Sequence, residues 1–235
     1  MATFLGGSRT WFARFVPAPL PTSYGERLRA SFGALLGIAV TGLVGTLVAG
    51  PIGALPLLVA PIGASAILLF GVPASPLAQP WSIIGGNIAA ALVGVTAARW
   101  IDPPLVAAAV AVGGALALMA LLRCIHPPGG AVALSAVIGG PHVAALGYGF
   151  VLVPVGLNSL VLVLVALAYN NATRRSYPHH AHPPAHPHVP ALDYTLDPGE
   201  LDAVLEDYGE ALDISREDLD ALFRELLARA RPRAR

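Results

Sequence analysis

The chain has 235 residues, of which 55% are hydrophobic and only 12% charged, with a mean hydropathy of +0.68. Ordinary soluble domains carry about a quarter charged residues, so a freely soluble globular protein is excluded and a membrane protein is expected. The net charge of zero hides an asymmetry: Glu26 and Asp102 are the only acids up to Asn170, and every other carboxylate follows Arg175.

Residues 1–27 hold Trp11, Phe12 and three prolines, and no small-residue cleavage site follows a short apolar core. They read as an N-terminal cytoplasmic or interfacial segment rather than a cleaved signal. About twenty apolar residues span a bilayer. On that scale residues 28–170 divide into successive segments: Leu28 to Ala49, Ile52 to Phe70, Ser82 to Ala98, Pro104 to Leu122, Gly129 to about Leu146, and Tyr148 to Ala168. The second is interrupted by Pro56 and Pro61, and the fifth by Gly139, Gly140 and Pro141. The expected fold is all-α, with four to six membrane segments. Arg9, Arg14, Arg27 and Arg29 precede the first segment, and Arg174 and Arg175 follow the last, which places both ends in the cytoplasm. Arg99 fits that rule poorly, and Asp102 is the carboxylate near enough in sequence to offset it.

"PIGASAI" from Pro61 resembles "PPGGAVAL" from Pro127. Aligning Pro61 with Pro128 matches Gly63 with Gly130, Ala64 with Ala131 and Ala66 with Ala133, and Asn87 and Asn158 fall at similar offsets downstream. Each unit would be a span, a broken segment and a span carrying one Asn. Paired interrupted segments in two halves point to a midplane binding site in transporters. Chance matches are common in so Gly- and Ala-rich a chain.

Residues 171–191 form a linker holding five of the 7 histidines among repeated prolines. Such tracts bind metal weakly, and a solvated spacer is the plainer reading. Residues 192–235 are an acidic tail of two amphipathic helices. Asp197 and Ser215 are their N-caps, and Leu201, Val204, Leu205, Tyr208 and Leu212, then Leu219, Leu222, Phe223, Leu226 and Leu227, are their apolar faces. A hairpin so small cannot stand alone. It is expected to dock on the membrane region, a second copy or a cytosolic partner.

The chemistry concentrates at "RCIHPPGG", residues 123–130. Pro127 and Pro128 end one helix, Gly129 and Gly130 permit a turn, and a new helix begins. A helix N-terminus with small residues attracts anions, and Arg123 and His126 add positive charge. Gly63, Ala64 and Ser65 occupy the matching place in the first half. The candidate site for a small inorganic anion is therefore Arg123, His126, Gly129, Gly130, Gly63, Ala64 and Ser65, with Gln79, Asn87 and Asn158 able to line the same cavity. The plainer readings are a loop between spans, an interfacial Arg123, and Asn side chains that bond helix to helix. Cys124, the single cysteine, reads as a small core residue. No metalloprotease, nucleophile-elbow, P-loop or zinc spacing occurs, and there is no basic aromatic patch for nucleic acid. Neither an enzyme nor a metal or cofactor is expected.

"HPPGGAVAL", "PIGASAILLFG" (61–71) and "SPLAQPWSIIGGN" (75–87) resemble segments of the HPP family of integral membrane proteins, over roughly residues 24–170. The resemblance implies four membrane-spanning helices. Plastid and cyanobacterial relatives are implicated in nitrite transport, and many bacterial members have no assigned role. Bacterial relatives often carry an acidic segment like "REDLDALFRELL" followed by a pair of CBS domains. No such pair follows here, so nucleotide regulation through it is not expected. The expectation is a bacterial inner-membrane transporter or channel for a small anion, nitrite first. The alternative is a membrane scaffold whose acidic tail recruits a cytosolic partner. Small-residue runs such as "GGALALMA" would suit close packing within a protomer or between copies in a homo-oligomer.

Overall fold

The computed structural model describes residues 22–49, 58–180, 198–208 and 213–229. Among these residues the chain is helical and has no strand. Helix α1 is Tyr24–Ala49, α2 Pro61–Gly71, α3 Pro80–Trp100, α4 Pro104–Leu121, α5 Pro127–Ile138 and α6 Gly140–Leu146. A broken stretch, Val151–Gly156, leads into α7, Leu157–Ala172. The tail forms α8, Pro198–Tyr208, and α9, Arg216–Arg229. Helices α2 to α5 each open on a proline, Pro61, Pro80, Pro104 and Pro127. Proline is suited to that position because the first N–H of a helix has no partner anyway, and its fixed φ is already helical.

Four helical stretches are long and apolar enough to cross a membrane: α1, α3, α4 and the stretch Val151–Ala172. The pair α5 and α6 would be a fifth span but bends by 97° at Gly139. Many large apolar side chains on these helices face outward, Leu105 at 83% and Leu35 at 63% exposure among them. In a membrane-embedded bundle that surface meets lipid.

Contacts trace the path of the chain between the two ends of the bundle. Arg29, near the start of α1, donates to the Phe70 carbonyl at the end of α2 and to Asn170 near the end of α7. The Trp81 indole at the start of α3 donates to the Leu122 carbonyl after α4. At the opposite end, Thr96 near the end of α3 bonds Tyr148 just before the last stretch. The chain therefore runs away along α1, returns through α2, leaves along α3, returns along α4, leaves through α5 and α6, and returns along α7.

Residues 24–100 and 104–172 thus form two units of opposite direction. The contacts respect their exchange: α1 packs on α2 and α7, while α4 packs on α5 and α3. Each unit's first helix lies against its own short helix and the other unit's last helix. The two stretches that the weak sequence repeat would pair therefore run in opposite directions and pack on corresponding neighbours.

Three sequence expectations need correction. The sixth segment is not continuous: Val153 is extended (φ −133°, ψ 117°) before Pro154, a residue that disfavours helical geometry in its predecessor. Arg99 lies 5.6 Å from the centre of the Tyr148 ring, so an aromatic face rather than Asp102 accompanies its charge. The linker is not free from its start. Tyr177 is 2% exposed and its hydroxyl donates to the Ala78 carbonyl at 2.8 Å, while Asn171 brackets its backbone through bonds at 2.6 and 3.2 Å. Burial pushes the Tyr177 phenol up from its ordinary range. The Asp197 cap lies outside the described residues. The Ser215 cap forms as expected: the Asp218 N–H donates to its hydroxyl at 3.0 Å.

Among the described residues, two hydrogen-bonded contacts tie the tail to the membrane region and to the start of the linker. Ser75 Oγ donates to Asp213 at 2.6 Å, and His179 Nε2 lies 2.9 Å from Asp218. Polar pairs near the surface contribute about 0–1 kcal/mol each, so the docking is weak. An Asp213→Ala, His179→Ala double variant is expected to release the tail. Limited proteinase K digestion in detergent should cut the linker beyond His179 roughly five- to thirtyfold faster, with the membrane region melting as wild type. An unchanged cleavage rate would show that other contacts hold the tail.

Candidate functional site

Two short helices, one from each unit, meet at His126 and Ser65. His126 is the N-cap of α5, in extended conformation (φ −141°, ψ 103°). Ser65 lies about one turn into α2. His126 Nε2 and Ser65 Oγ are 2.8 Å apart, and His126 Nδ1 is 2.9 Å from the Leu77 carbonyl oxygen. A carbonyl only accepts, so Nδ1 carries the proton, and Nε2 accepts from the Ser65 hydroxyl. This tautomer is assigned from the network. Both side chains are fully buried. The imidazole ties α2, α5 and the 72–79 connection together, and it is a group able to take up a proton when that bridge opens. Hydroxyl, imidazole and carbonyl stand in the order of an activated nucleophile, but both residues are closed off from any substrate in this state.

Helix α3 can reach this point only because residue 86 is glycine. A Cβ there would sit 2.7 Å from both the Cys124 carbonyl oxygen and His126 Cβ. Farther along, Gly129 lies over Ala90 and Gly94 lies against the backbone of Ala133. Small residues thus bring α3 and α5 into backbone contact, as membrane helix interfaces favour.

A second polar group follows directly on α3. Asn87 Nδ2 donates to Ser159 Oγ on α7 at 3.0 Å. Asn87, Asn158 and Ser159 are all fully buried. Asn87 Oδ1 and both polar atoms of Asn158 have no hydrogen-bond partner. A buried polar group left unpaired costs about 1–3 kcal/mol.

The predicted residues are therefore brought together only in part. His126, Ser65 and Gly129 share one locus, and Asn87 and Asn158 another beside it. Arg123 stands apart: it is exposed, with φ 55°, at the end of the bundle where α1 begins. Ala64 is exposed, and Gly63 has open space where a side chain would go. A Cβ on Gly130 would meet only Val112, at 3.9 Å. Gln79 is fully engaged in holding its own connection. Its Nε2 donates to the Pro73 and Ser75 carbonyls at 3.1 and 2.8 Å, and its Oε1 accepts from the His179 N–H at 3.0 Å.

The idea of free N–H groups at the two helix starts is also corrected. Prolines 61, 127 and 128 have none to offer. The N–H groups of Ile62, Gly63 and Gly129 donate to Val59, Ala60 and His126 at 2.9, 3.0 and 2.8 Å. The first turns close on themselves, so side chains must supply most of the polarity there.

Sequence reasoning missed Ser159, although a Ser adjoining an Asn inside an apolar run was the available signal. It also read Arg29 only as a flanking charge. Arg29 donates to Glu26, Asn170 and the Phe70 carbonyl at 2.8, 2.9 and 2.9 Å, and lies 5.9 Å from the centre of the Tyr169 ring. Arg175 bonds the other oxygen of Glu26 at 2.6 Å. Among the described residues no group of three or more His, Cys, Asp or Glu is placed to hold a metal ion.

A family model described as HPP, transmembrane region, matches residues 19–178. The chain belongs to the HPP family. Two transmembrane proteins of Dictyostelium discoideum are similar to it, each 41% identical, over 127 and 126 residues. These stretches cover 52% of this chain and 44% and 40% of the two relatives, so it spans less than half the length of the curated relatives it matches. No solved structure matches. The HPP region ends at Pro178, and so takes in the docked Tyr177 as well as both polar groups. The α8 and α9 tail lies beyond it.

Proposed function

We propose that this HPP protein is a transporter or channel for a small monovalent anion, with nitrite the first candidate. The observation that supports it most is the Ser65–His126 bond, which joins the short helices of two units that run in opposite directions. Inverted repeats whose interrupted helices meet at the interface place a solute site there and rock about it. Irregular backbone at membrane depth is tolerated where it is buried in protein or lines a cavity. His126 would accept a proton as the bridge to Ser65 opens and so accompany an anion. The preference for nitrite comes from the family's plastid and cyanobacterial members. The arginine flanks favour cytoplasmic ends.

The test is flux into proteoliposomes from nitrite, nitrate, formate or chloride, with and without a pH gradient. Nitrite uptake that exceeds the others and rises with an inward proton gradient is the expected result. Absence of flux for all four from folded, oriented protein would remove the transport reading.

A second reading has its own support. Val204, Leu222, Phe223 and Leu226 on α8 and α9 are 63%, 54%, 42% and 65% exposed, an apolar surface suited to a cytosolic partner. In that case the protein is a membrane scaffold. Deleting the tail would then abolish its cellular role, whereas a transporter would keep its flux.

A further inference from the structure

We propose that Asn158, together with Asn87 and Ser159, is the point at which a passing monovalent oxyanion is held; this rests on the transport reading above and gives it a second contact besides His126. Three observations converge. The first is the unpaired state of the carboxamides. Asn158 has no partner at either polar atom, and Asn87 has none at its oxygen, though all are buried. An Asn that served to join helices would bond across the interface. Asn158 bonds nothing, so helix association does not explain it, and buried unsatisfied groups in native proteins call for another explanation.

The second observation is position. Gly86 touches His126 and the next residue, Asn87, touches Ser159. Successive residues of α3 thus face the two polar groups in turn, and a solute leaving one arrives at the other. Asn87 lies about two turns, or ~10 Å, into α3, near the middle of the bundle. Asn158 lies two residues past Gly156, the last residue of the broken stretch Val151–Gly156.

The third is chemistry. The cluster offers amide N–H groups and a hydroxyl, and no charged side chain among the described residues bonds to it. Neutral dipoles suit an ion that must enter and also leave, and they favour a monoanion over a dianion, whose desolvation is far costlier. Asn158 can turn its amide toward an incoming oxygen without breaking any bond. Asn87 would give up only its bond to Ser159.

The test uses the full chain in detergent and in proteoliposomes, with sodium nitrite as probe and sulfate as control. Asn158→Leu removes the unpaired amide at similar volume. It is expected to melt about 2–4 °C higher than wild type and to pass nitrite at most about a tenth as fast. Nitrite, and not sulfate, should raise the melting temperature of wild type but leave that of Asn158→Leu unmoved. Asn158→Asp, equal in shape but anionic, should lose flux as well. An Asn158→Leu protein less stable than wild type, or one that responds to nitrite as wild type does, would overturn the site. So would a wild type whose melting is indifferent to nitrite. Wild-type protein that is stabilised by nitrite yet moves none would leave the site standing and remove transport instead.

Discussion

His126→Ala is expected to lose about 2–5 kcal/mol of stability, the sum of a cavity and an orphaned carbonyl, and all nitrite flux. The loss has a specific origin. The Leu77 carbonyl would keep no donor, and the Ser65 hydroxyl would fall back on the Pro61 carbonyl, already 3.5 Å away. His126→Asn separates the two bonds, because its amide can still donate to Leu77 while nothing replaces Nε2. The Asn variant should recover much of the melting temperature but little of the flux. Thermal melts in detergent beside the flux assay decide it. If His126→Asn transports as wild type, the imidazole is a structural tie and handles no proton.

Gly94→Leu is expected to be at least as damaging, and for a different reason. A Cβ at Gly94 would lie 2.5 Å from the Ala133 carbonyl oxygen and 2.8 Å from Ala133 Cα. Those are backbone atoms and cannot turn aside, so α3 and α5 must separate. Overpacking typically costs about 1–3 kcal/mol where side chains can yield. Here they cannot, and aggregation or loss of the cooperative melt is the expected result. Gly113→Leu is the control, since a Cβ there meets nothing within 4 Å. Equal melting temperatures for the two variants would mean that α3 and α5 do not touch as described.

The architecture was largely legible in the residues. Pro61, Pro80, Pro104 and Pro127 mark four helix starts, and the Gly139–Pro141 break is where the chain bends. The alignment of Pro61 with Pro128 singled out the two short helices that meet at Ser65 and His126. The break at Pro154 was legible as well, since a proline inside an apolar run is the same signal as Pro56 and Pro61. What escaped was whatever depends on partners distant in the chain. Gln79 looked free to line a cavity because its partners, the His179 N–H and two nearby carbonyls, are backbone groups with no sequence signature. The expected anion site assumed unpaired N–H groups, whereas Ile62, Gly63 and Gly129 satisfy theirs within the turn. Asn87 and Asn158 were picked out for their polarity in apolar runs, but a sequence cannot say which carboxamide will find a partner. The structure gives Asn87 a hydroxyl and Asn158 nothing.

Glu26 binds Arg29 and Arg175 together, so the membrane region begins and ends at one spot. The path of the chain thus returns to its start at a small cluster of charges. A short linker from residue 176 to residue 22 would close that path, and the chain could then be opened at the connection between Ile101 and Pro103. The product would carry the second unit before the first and keep the contacts between their helices, while losing the docked Tyr177 and the tail. Termini that lie close together are what makes such rearrangement tolerable. Which half comes first is then a matter of descent, not of physical necessity.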